Sequence, residues 1–485
     1  MRSGCLINVI AAILVLALCI VVFASCVKKP EESPYTPQSE LRDDFEPSGE
    51  MDEDTCVLAA RHESYSVDSY SYFVDAKPAD GSEFELEELE GGVKIVKYIG
   101  ENDCVIVPDE IDGKTVISIG AGAFGGSSAQ ELYIPDSVEI IEKGALSGCE
   151  GLEILRLPFI GDGEEITHFG YVFGADSYEN HALSIPVSLD VVILGEKTRT
   201  VAENAFARCK TLSSVIVKGE LESIGNFAFY ECFDLVYFDV NNSVKKIGEY
   251  AFGYCESIFA PAFTKAENIG RGAFYGCRSI RNLTLPFVGE SAEENRYIGH
   301  IFGAESADYN DEYVPKSLYS VVLTSDCKDI PDRAFASCAY ISRFILCEGI
   351  ASIGTRAFYG CRSIIEIEIP ETTVEIGDDA FFGCDNLESV WLGKNVKEIG
   401  MQAFYGCLDL KFVDIPEGLD EIKASTFALC ESLDEIDLKN VKTIRKDAFL
   451  GCKFKAYPDI SGVNIIEDGN SAIVKPEMDT TEAIK

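Results

Sequence analysis

Eleven cysteines recur down this chain at a near-fixed interval: Cys149, Cys209, Cys232, Cys255, Cys277, Cys338, Cys361, Cys384, Cys407, Cys430 and Cys452. The steps are 22 or 23 residues except for two, of 60 and 61. Each cysteine stands three residues after an Ala-Phe pair (Ala-Leu in the first, Thr-Phe before Cys430), as in Ala403-Phe404-Tyr405-Gly406-Cys407. A unit of about 23 residues cannot bury an apolar face alone, so such a repeat specifies a stack in which each copy covers its neighbours. Function is then expected on an extended surface and not in a catalytic pocket.

The copy from Cys384 to Phe404 shows the unit. Leu387, Val390 and Leu392 are apolar at the spacing L-x-x-V-x-L, the short strand of a leucine-rich repeat with alternate side chains turned inward. Val396 and Ile399 carry the chain round the arc. Ala403 and Phe404 fall on the opposite wall, in a short helical turn, and the cysteine closes that turn. The other copies place Phe124, Phe206, Phe229, Phe252, Phe274, Phe335, Phe358, Phe381, Phe427 and Phe449 at the wall position, with Leu146 in the same role. The first copy has Ser127 where the cysteine belongs.

The two long steps share an explanation. Leu157-Pro158-Phe159-Ile160-Gly161 matches Leu285-Pro286-Phe287-Val288-Gly289, and Val172-Phe173-Gly174-Ala175 matches Ile301-Phe302-Gly303-Ala304. Each stretch reads as one enlarged coil with Phe173 or Phe302 on the wall and no cysteine. The expected fold is an α/β repeat solenoid of about fourteen coils. Its short parallel strands form the concave face.

The pattern C-x-x-L-x-x-I-x-I-P-x-x-V-x-x-I-G-x-x-A-F, the Leu-Pro-Phe-x-Gly long coil and the opening Val107-Pro108 to Ile119-Gly120 resemble the bacterial BspA-type leucine-rich repeat family. The resemblance covers roughly residues 93–452. It implies surface display and adhesion to proteins or cells, with no catalytic or metal residues and no cofactor to carry over.

The remaining segments fit export. Leu6 to Val22 is apolar, and Phe23-Ala24-Ser25 precedes Cys26. Residues 1–25 therefore read as a lipoprotein-type signal with Cys26 as the lipidated residue, or as an uncleaved anchor helix. Residues 26–55 carry Pro30, Pro34, Pro37 and Pro47 among acidic and serine residues and read as a disordered tether. Residues 56–118 form an N-terminal segment, with Tyr65, Tyr70, Tyr72 and Phe73, and a cap marked by Val93, Ile95 and Val96. Residues 119–452 are the solenoid. Residues 453–474, with Tyr457, Ile460, Val463, Ile465 and Ile466, are the C-terminal cap, and residues 475–485 are a polar tail.

The chain holds 82 acidic and 41 basic residues, a net charge of −41. That field excludes nucleic acid and anionic lipid surfaces as partners and favours basic ones. Contact with a membrane is expected only through the N-terminal lipid or anchor. The cysteine ladder follows the repeat, leaves an odd number and includes no C-x-x-C pair, so free buried thiols are expected. Cys56, Cys104, Cys327 and Cys347 stand outside the ladder. His168 and His300 lie in the enlarged coils but out of register, opposite Tyr297 and Tyr171, which argues against a duplicated metal or catalytic site. No G-x-S-x-G, H-E-x-x-H or phosphate-binding glycine loop occurs, so the chain does not read as an enzyme.

Strand parity gives the candidate site. In L-x-x-V-x-L the residue between the last two apolar positions points outward. That column includes Tyr133, Arg156, Ile193, Ile216, Val322, Ile345, Glu368, Trp391, Asp414 and Asp437, and its neighbour adds Tyr237, Arg343, Glu366, Phe412 and Glu435. Trp391 and Phe412 form an expected aromatic anchor, ringed by Glu366, Glu368, Asp414, Glu435 and Asp437. Ile193 and Ile216 are a second, apolar part of the same face. Such a surface suits an extracellular or envelope protein carrying basic residues. The alternative is an envelope scaffold whose aromatics stack on glycan.

Overall fold

The computed structural model describes residues 77–466 apart from 164, 166, 241, 456, 457 and 459. The chain divides into two units, Met1–Glu50 and Met51–Lys485, and all described residues belong to the second. Cys26, the tether, Cys56, the tyrosine-rich stretch before residue 77, Tyr457 and the polar tail lie outside the described residues.

The repeat builds a parallel β-solenoid of about sixteen turns with little helix. The L-x-x-V-x-L segments pair in register as short parallel strands. Six of them, Cys104–Ile106, Glu131–Tyr133, Ile154–Leu157, Val191–Leu194, Ser214–Val217 and Tyr237–Asp239, form one continuous sheet. The bridge from Ala262 to Thr284 leads to Asn282–Leu285, Ser320–Leu323 and Arg343–Leu346, and Glu366–Glu368, Ser389–Trp391 and Phe412–Asp414 follow. The coil count exceeds fourteen because parallel pairing also takes in strands at both ends. Gly92–Tyr98 pairs in parallel with Lys114–Ile119, and Thr443–Arg445 with Asn464–Ile466.

Residues read as an arc form a second parallel ladder. Ser223–Ile224 pairs with Lys246–Ile247, and Glu375–Ile376 with Glu398–Ile399. Each isoleucine points inward, and the glycine after it brings the coils together: a Cβ on Gly400 would stand 2.3 Å from the Asp378 nitrogen.

The wall is made of hydrogen-bonded turns and not of α-helix. The one α-helix among the described residues is Asn310–Tyr313. Inside the wall the phenylalanines stack nearly face to face. Phe358–Phe381 and Phe381–Phe404 have centroids 4.9 and 5.1 Å apart at 8° and 1°. At the N-terminus Tyr98 extends this column, 5.7 Å from Phe124, and Val93 and Ile95 are buried with it, whereas Val96 is exposed.

The ladder cysteines bond across coils. The Cys384 thiol donates to the carbonyl of Phe358 at 3.2 Å and that of Cys407 to Phe381 at 3.3 Å. Nine ladder thiols, from Cys149 to Cys452, make this bond to the wall phenylalanine of the coil before. A small, soft donor reaches that carbonyl without opening the stack. All eleven ladder cysteines are free, as are Cys104 and Cys327. Cys347 departs from the free-thiol expectation, because it is disulfide-bonded.

In the enlarged coils the wall position is divided: Leu146 N–H donates to Val172 and Phe274 N–H to Ile301, beside Phe173 and Phe302, but the bonds onward to Ala205 and Ala334 are made by Phe169 and Ile298, and it is Phe169 that packs on Phe206, at 4.7 Å. His168 and Tyr297 occupy equivalent sites, each preceding a 3₁₀ turn, Phe169–Phe173 and Ile298–Phe302.

Candidate binding face

The sheet face formed by Glu366–Glu368, Ser389–Trp391 and Phe412–Asp414 is ordered from beneath. Ile367, Val390 and Val413 point into the core and are buried, so the residues either side of each must point out. Register places Trp391 directly between Glu368 and Asp414, and Ser389 between Glu366 and Phe412. The Trp391 and Phe412 rings are therefore diagonal neighbours, with centroids 6.3 Å apart and planes tilted by 49°. Trp391 is half-buried and Phe412 is 45 % exposed.

The surrounding carboxylates differ in state. Asp437 is paired with Lys439 at 2.8 Å, which holds its pKa down, and Lys439 also senses Glu417 and Asp414. Glu371 is paired with Lys394 at 2.9 Å. Burial first, then Glu348, Glu366 and Glu371, pushes the Glu368 pKa up. Four carboxylates, two on the strand Glu366–Glu368 and two in the turns at Glu348 and Glu371, thus raise the cost of ionising Glu368, and a cation placed among them would relieve that. Glu435 and Asp437 are exposed on either side of Ile436, but that segment is not a paired strand.

Ile193 and Ile216 require a correction. Both leave the sheet on the outward side, yet they are buried, 6 % and 3 % exposed, in a small cluster with Val191, flanked by Ile154 and Tyr237. Val191 and Ile193 stand at successive outward positions of one strand and Ile216 lies beside Ile193 on the next, and these three cover each other. Arg156 is also buried: it bonds the Ile134 carbonyl and Asp136 and lies 4.5 Å over the Tyr133 ring. Phe412 and the acidic residues of the face are exposed and Trp391 is half-exposed, whereas the isoleucine part is buried.

Two features escaped sequence reasoning. His181 and Asn310 lie eight residues after Phe173 and Phe302, so the matched coils hold them in register. Both are fully buried. His181 Nδ1 accepts from Gly170 N–H at 3.5 Å and Nε2 donates to the Ala207 carbonyl. Asn310 Oδ1 accepts from Gly299 N–H at 2.9 Å and Nδ2 donates to Ala336 at 3.2 Å. Each is a clamp with one acceptor and one donor. The register was available, but the unlike residue types concealed it. The second feature is a run of aromatic side chains on the outside of the wall, where Tyr230 meets Tyr254 at 5.6 Å and Tyr254 meets Tyr275 at 5.3 Å.

Among the described residues no group of three or more His, Cys, Asp or Glu is placed to hold a metal ion, and no helix is long and apolar enough to cross a membrane.

A model of the BspA type leucine rich repeat region matches residues 107–169, 177–299, 310–376 and 351–470. The chain belongs to the BspA-type leucine-rich repeat family. Similar solved structures include a leucine-rich repeat protein from Bacteroides ovatus, 20% identical over 77% of this chain and 98% of that one, with TM-score 0.34. A leucine rich cell surface protein from Faecalibacterium prausnitzii is 17% identical over 81% and 94%, with TM-score 0.22. The pneumococcal vaccine antigen PcpA is 17% identical over 79% and 96%, with TM-score 0.25. No curated protein matches the chain. Families of this BspA type are generally non-catalytic binding scaffolds and typically bacterial surface proteins.

Proposed function

We propose that this BspA-type protein is exported, tethered to the membrane at its N-terminus through Cys26, and adheres to an extracellular or envelope protein through the face around Trp391 and Phe412. It acts without catalysis and without a cofactor. The observation that carries the reading is the pairing of half-buried Trp391 with exposed Phe412, 6.3 Å between centroids, set among Glu366, Glu368 and Asp414. The fitting partner segment has an apolar residue flanked by Lys or Arg. The anchor supplies affinity, and the acidic ring supplies orientation and on-rate. A cation beside Glu368 would favour its ionised form against the burial and neighbouring carboxylates that raise its pKa, so binding should weaken as pH falls through that pKa. Export is supported by the apolar run before Cys26 and by the family.

The test captures partners from envelope and host extracellular material with the full chain, then measures affinity for the captured protein. Trp391→Ala should cost about 2 kcal/mol of binding, with the melting curve unchanged. Undiminished binding, or unfolding by this substitution, overturns the assignment of the face. Fatty-acid labelling that survives Cys26→Ala overturns the lipid tether.

A further inference from the structure

Outward positions of the concave sheet differ sharply between neighbouring strands. In Glu366–Glu368 and Phe412–Asp414 they are exposed, and in Ser389–Trp391 they are half-buried. In the three strands before these, register aligns Thr284, Val322 and Ile345 in one outward row, with Asn282 and Ser320 in the row beside it. Alternation carries Thr324 and Cys347, two residues after Val322 and Ile345, to the same side. All of these are buried, Val322 to 2 % exposure and Ile345 to 8 %.

The coil core does not account for this burial. Leu283, Val321 and Phe344 fill the coils beneath, whereas Val322 and Ile345 belong neither to that core nor to the cluster around Ile193. Two polar atoms of the band, Asn282 Oδ1 and Thr324 Oγ1, are buried with no hydrogen-bond partner among the described residues. A buried polar atom left unpaired is costly, so the band points to a covering stretch of chain that brings its own polar groups.

Cys347 identifies that stretch. It is disulfide-bonded, and the thirteen other described cysteines are free, which leaves Cys5, Cys19, Cys26 and Cys56 as its candidate partners. Cys5 and Cys19 lie in the signal segment, and Cys26 takes the lipid, a step that rests on the tether proposed above. Cys56 remains, and the chain reaches. Ala79 N–H donates to the Ile106 carbonyl, so the described chain begins beside the first strand of the same sheet. Ten successive strand segments lead from Cys104–Ile106 to Arg343–Leu346, about 45 Å at the usual strand spacing. The 22 residues between Cys56 and Ala79 extend to about 70 Å.

Composition fits the same place. Asp52-Glu53-Asp54 is acidic, but Val57-Leu58-Ala59-Ala60 is apolar and uncharged. Running from Cys347 back towards Ala79, these four residues cross the strands of Ile345, Val322 and Thr284. Their N–H groups are the donors that Asn282 and Thr324 lack. Charge lies at the rim: Arg281 and Arg343 where the strands begin, and Glu348 with the Lys265–Asp326 pair where they end, at 3.4 Å. Glu348, Glu366 and Glu368 repel the acidic run before Cys56 and keep it off the next strand. Ala262, on the other side of the band, is exposed, so the cover is confined to these three strands.

We propose that residues 56–60 of this chain cover the concave face over Val322 and Ile345, held by a disulfide between Cys56 and Cys347, so that the open binding face begins at Glu366. Forming the bond releases two thiol protons and passes two electrons to a protein disulfide of the extracytoplasmic compartment by thiol–disulfide exchange.

The test maps disulfides in the full chain from an exporting host, by pepsin digestion at low pH, where exchange is suppressed, and mass spectrometry without reduction. A peptide joining Cys56 to Cys347 is expected. Hydroxyl-radical footprinting reads the cover: Cys56→Ser with Leu58→Asp should raise labelling of Val322 and Ile345 at least threefold, with Phe381 still protected. If Phe381 is labelled, the variant has unfolded and the wild-type map decides. Trp391→Ala should change neither readout, and fatty-acid labelling at Cys26 is scored separately, so failure of the tether or of the binding face is told apart from failure of the cover. The proposal is overturned if Cys347 is a free thiol, if it is bonded to Cys26 or to another copy, or if Val322 and Ile345 stay equally protected in the folded variant.

Discussion

At the residue scale, glycines that look interchangeable in the repeat answer to different constraints. Gly406 has φ 71° and open space around its missing Cβ, so its constraint is backbone conformation alone. Gly406→Ala should cost about 1 kcal/mol. Gly400 has no positive φ, but its Cβ would strike the Asp378 nitrogen and the Gly377 carbonyl carbon at 2.3 and 2.4 Å. Gly400→Ala should cost about 3 kcal/mol, because the coils must separate to admit a methyl group. Urea unfolding of both variants checks the ordering, and equal costs would refute the distinction. The thiols are a second case. Burial pushes the pKa of Cys361, Cys384 and Cys407 well above the ordinary thiol range. A thiolate is needed for reaction with a disulfide reagent, so these residues should react only on unfolding. Reaction in the native state at pH 8 would contradict the buried hydrogen bonds.

At the scale of the element, the phenylalanine column is the continuous support of the wall. Phe381 sits between Phe358 and Phe404 with both rings parallel to it, and it is fully buried. Phe381→Ala should cost about 3–5 kcal/mol, with hydrogen exchange rising first in the coils beside it, since repeats couple mainly to neighbours. Unchanged urea unfolding would disprove the column's role. The enlarged coils depend instead on a polar clamp, and the first contains a titratable group. Burial holds His181 below the ordinary histidine range, with smaller contributions from His168 and Arg208 opposed by the Ala207 bond. His168, beside Lys143, and His300, beside Glu290 and Arg271, are lowered by burial too. Below pH about 6.5 the unfolded histidine takes up a proton that the folded one resists. Stability is therefore present above that pH and lost as pH falls towards the folded pKa. His181→Asn copies the clamp of Asn310 and should flatten the difference in urea midpoint between pH 7.5 and pH 5. An equally steep loss in the variant would show that other groups carry the effect.

At the scale of the whole molecule, charge separates association from stability. Trp391 and Phe412 project from strands whose cores are already filled, and the carboxylates beside them are exposed, so changes there should alter encounter more than folding. Asp414→Asn with Asp437→Asn should slow association with a basic partner and flatten its salt dependence, with dissociation nearly unchanged. Stopped-flow or surface-based kinetics at two salt concentrations read this directly, and a change confined to dissociation would place the carboxylates in direct contact with the partner.

Much of the architecture was legible in residue order because a repeat states its own period. Leu387, Val390 and Leu392 inside, Phe381 and Phe404 stacked, the matched enlarged coils and the outward parity of Trp391 all follow from spacing, since a strand alternates and each coil repeats the last. Tertiary structure alone decided what spacing does not encode. Ile193 and Ile216 obey the same parity as Trp391, but they face each other across adjacent strands, and contact with each other, Val191, Ile154 and Tyr237 buries them. The cysteines show a period, but only the stacked coils bring each thiol to the preceding phenylalanine carbonyl. His181 and Asn310 share a register, yet their equivalence lies in matching one donor and one acceptor to two backbone groups from different coils. The wall aromatics lie on different turns of the chain, and only stacking, which lays each beside the next coil's glycine, joins them into one surface.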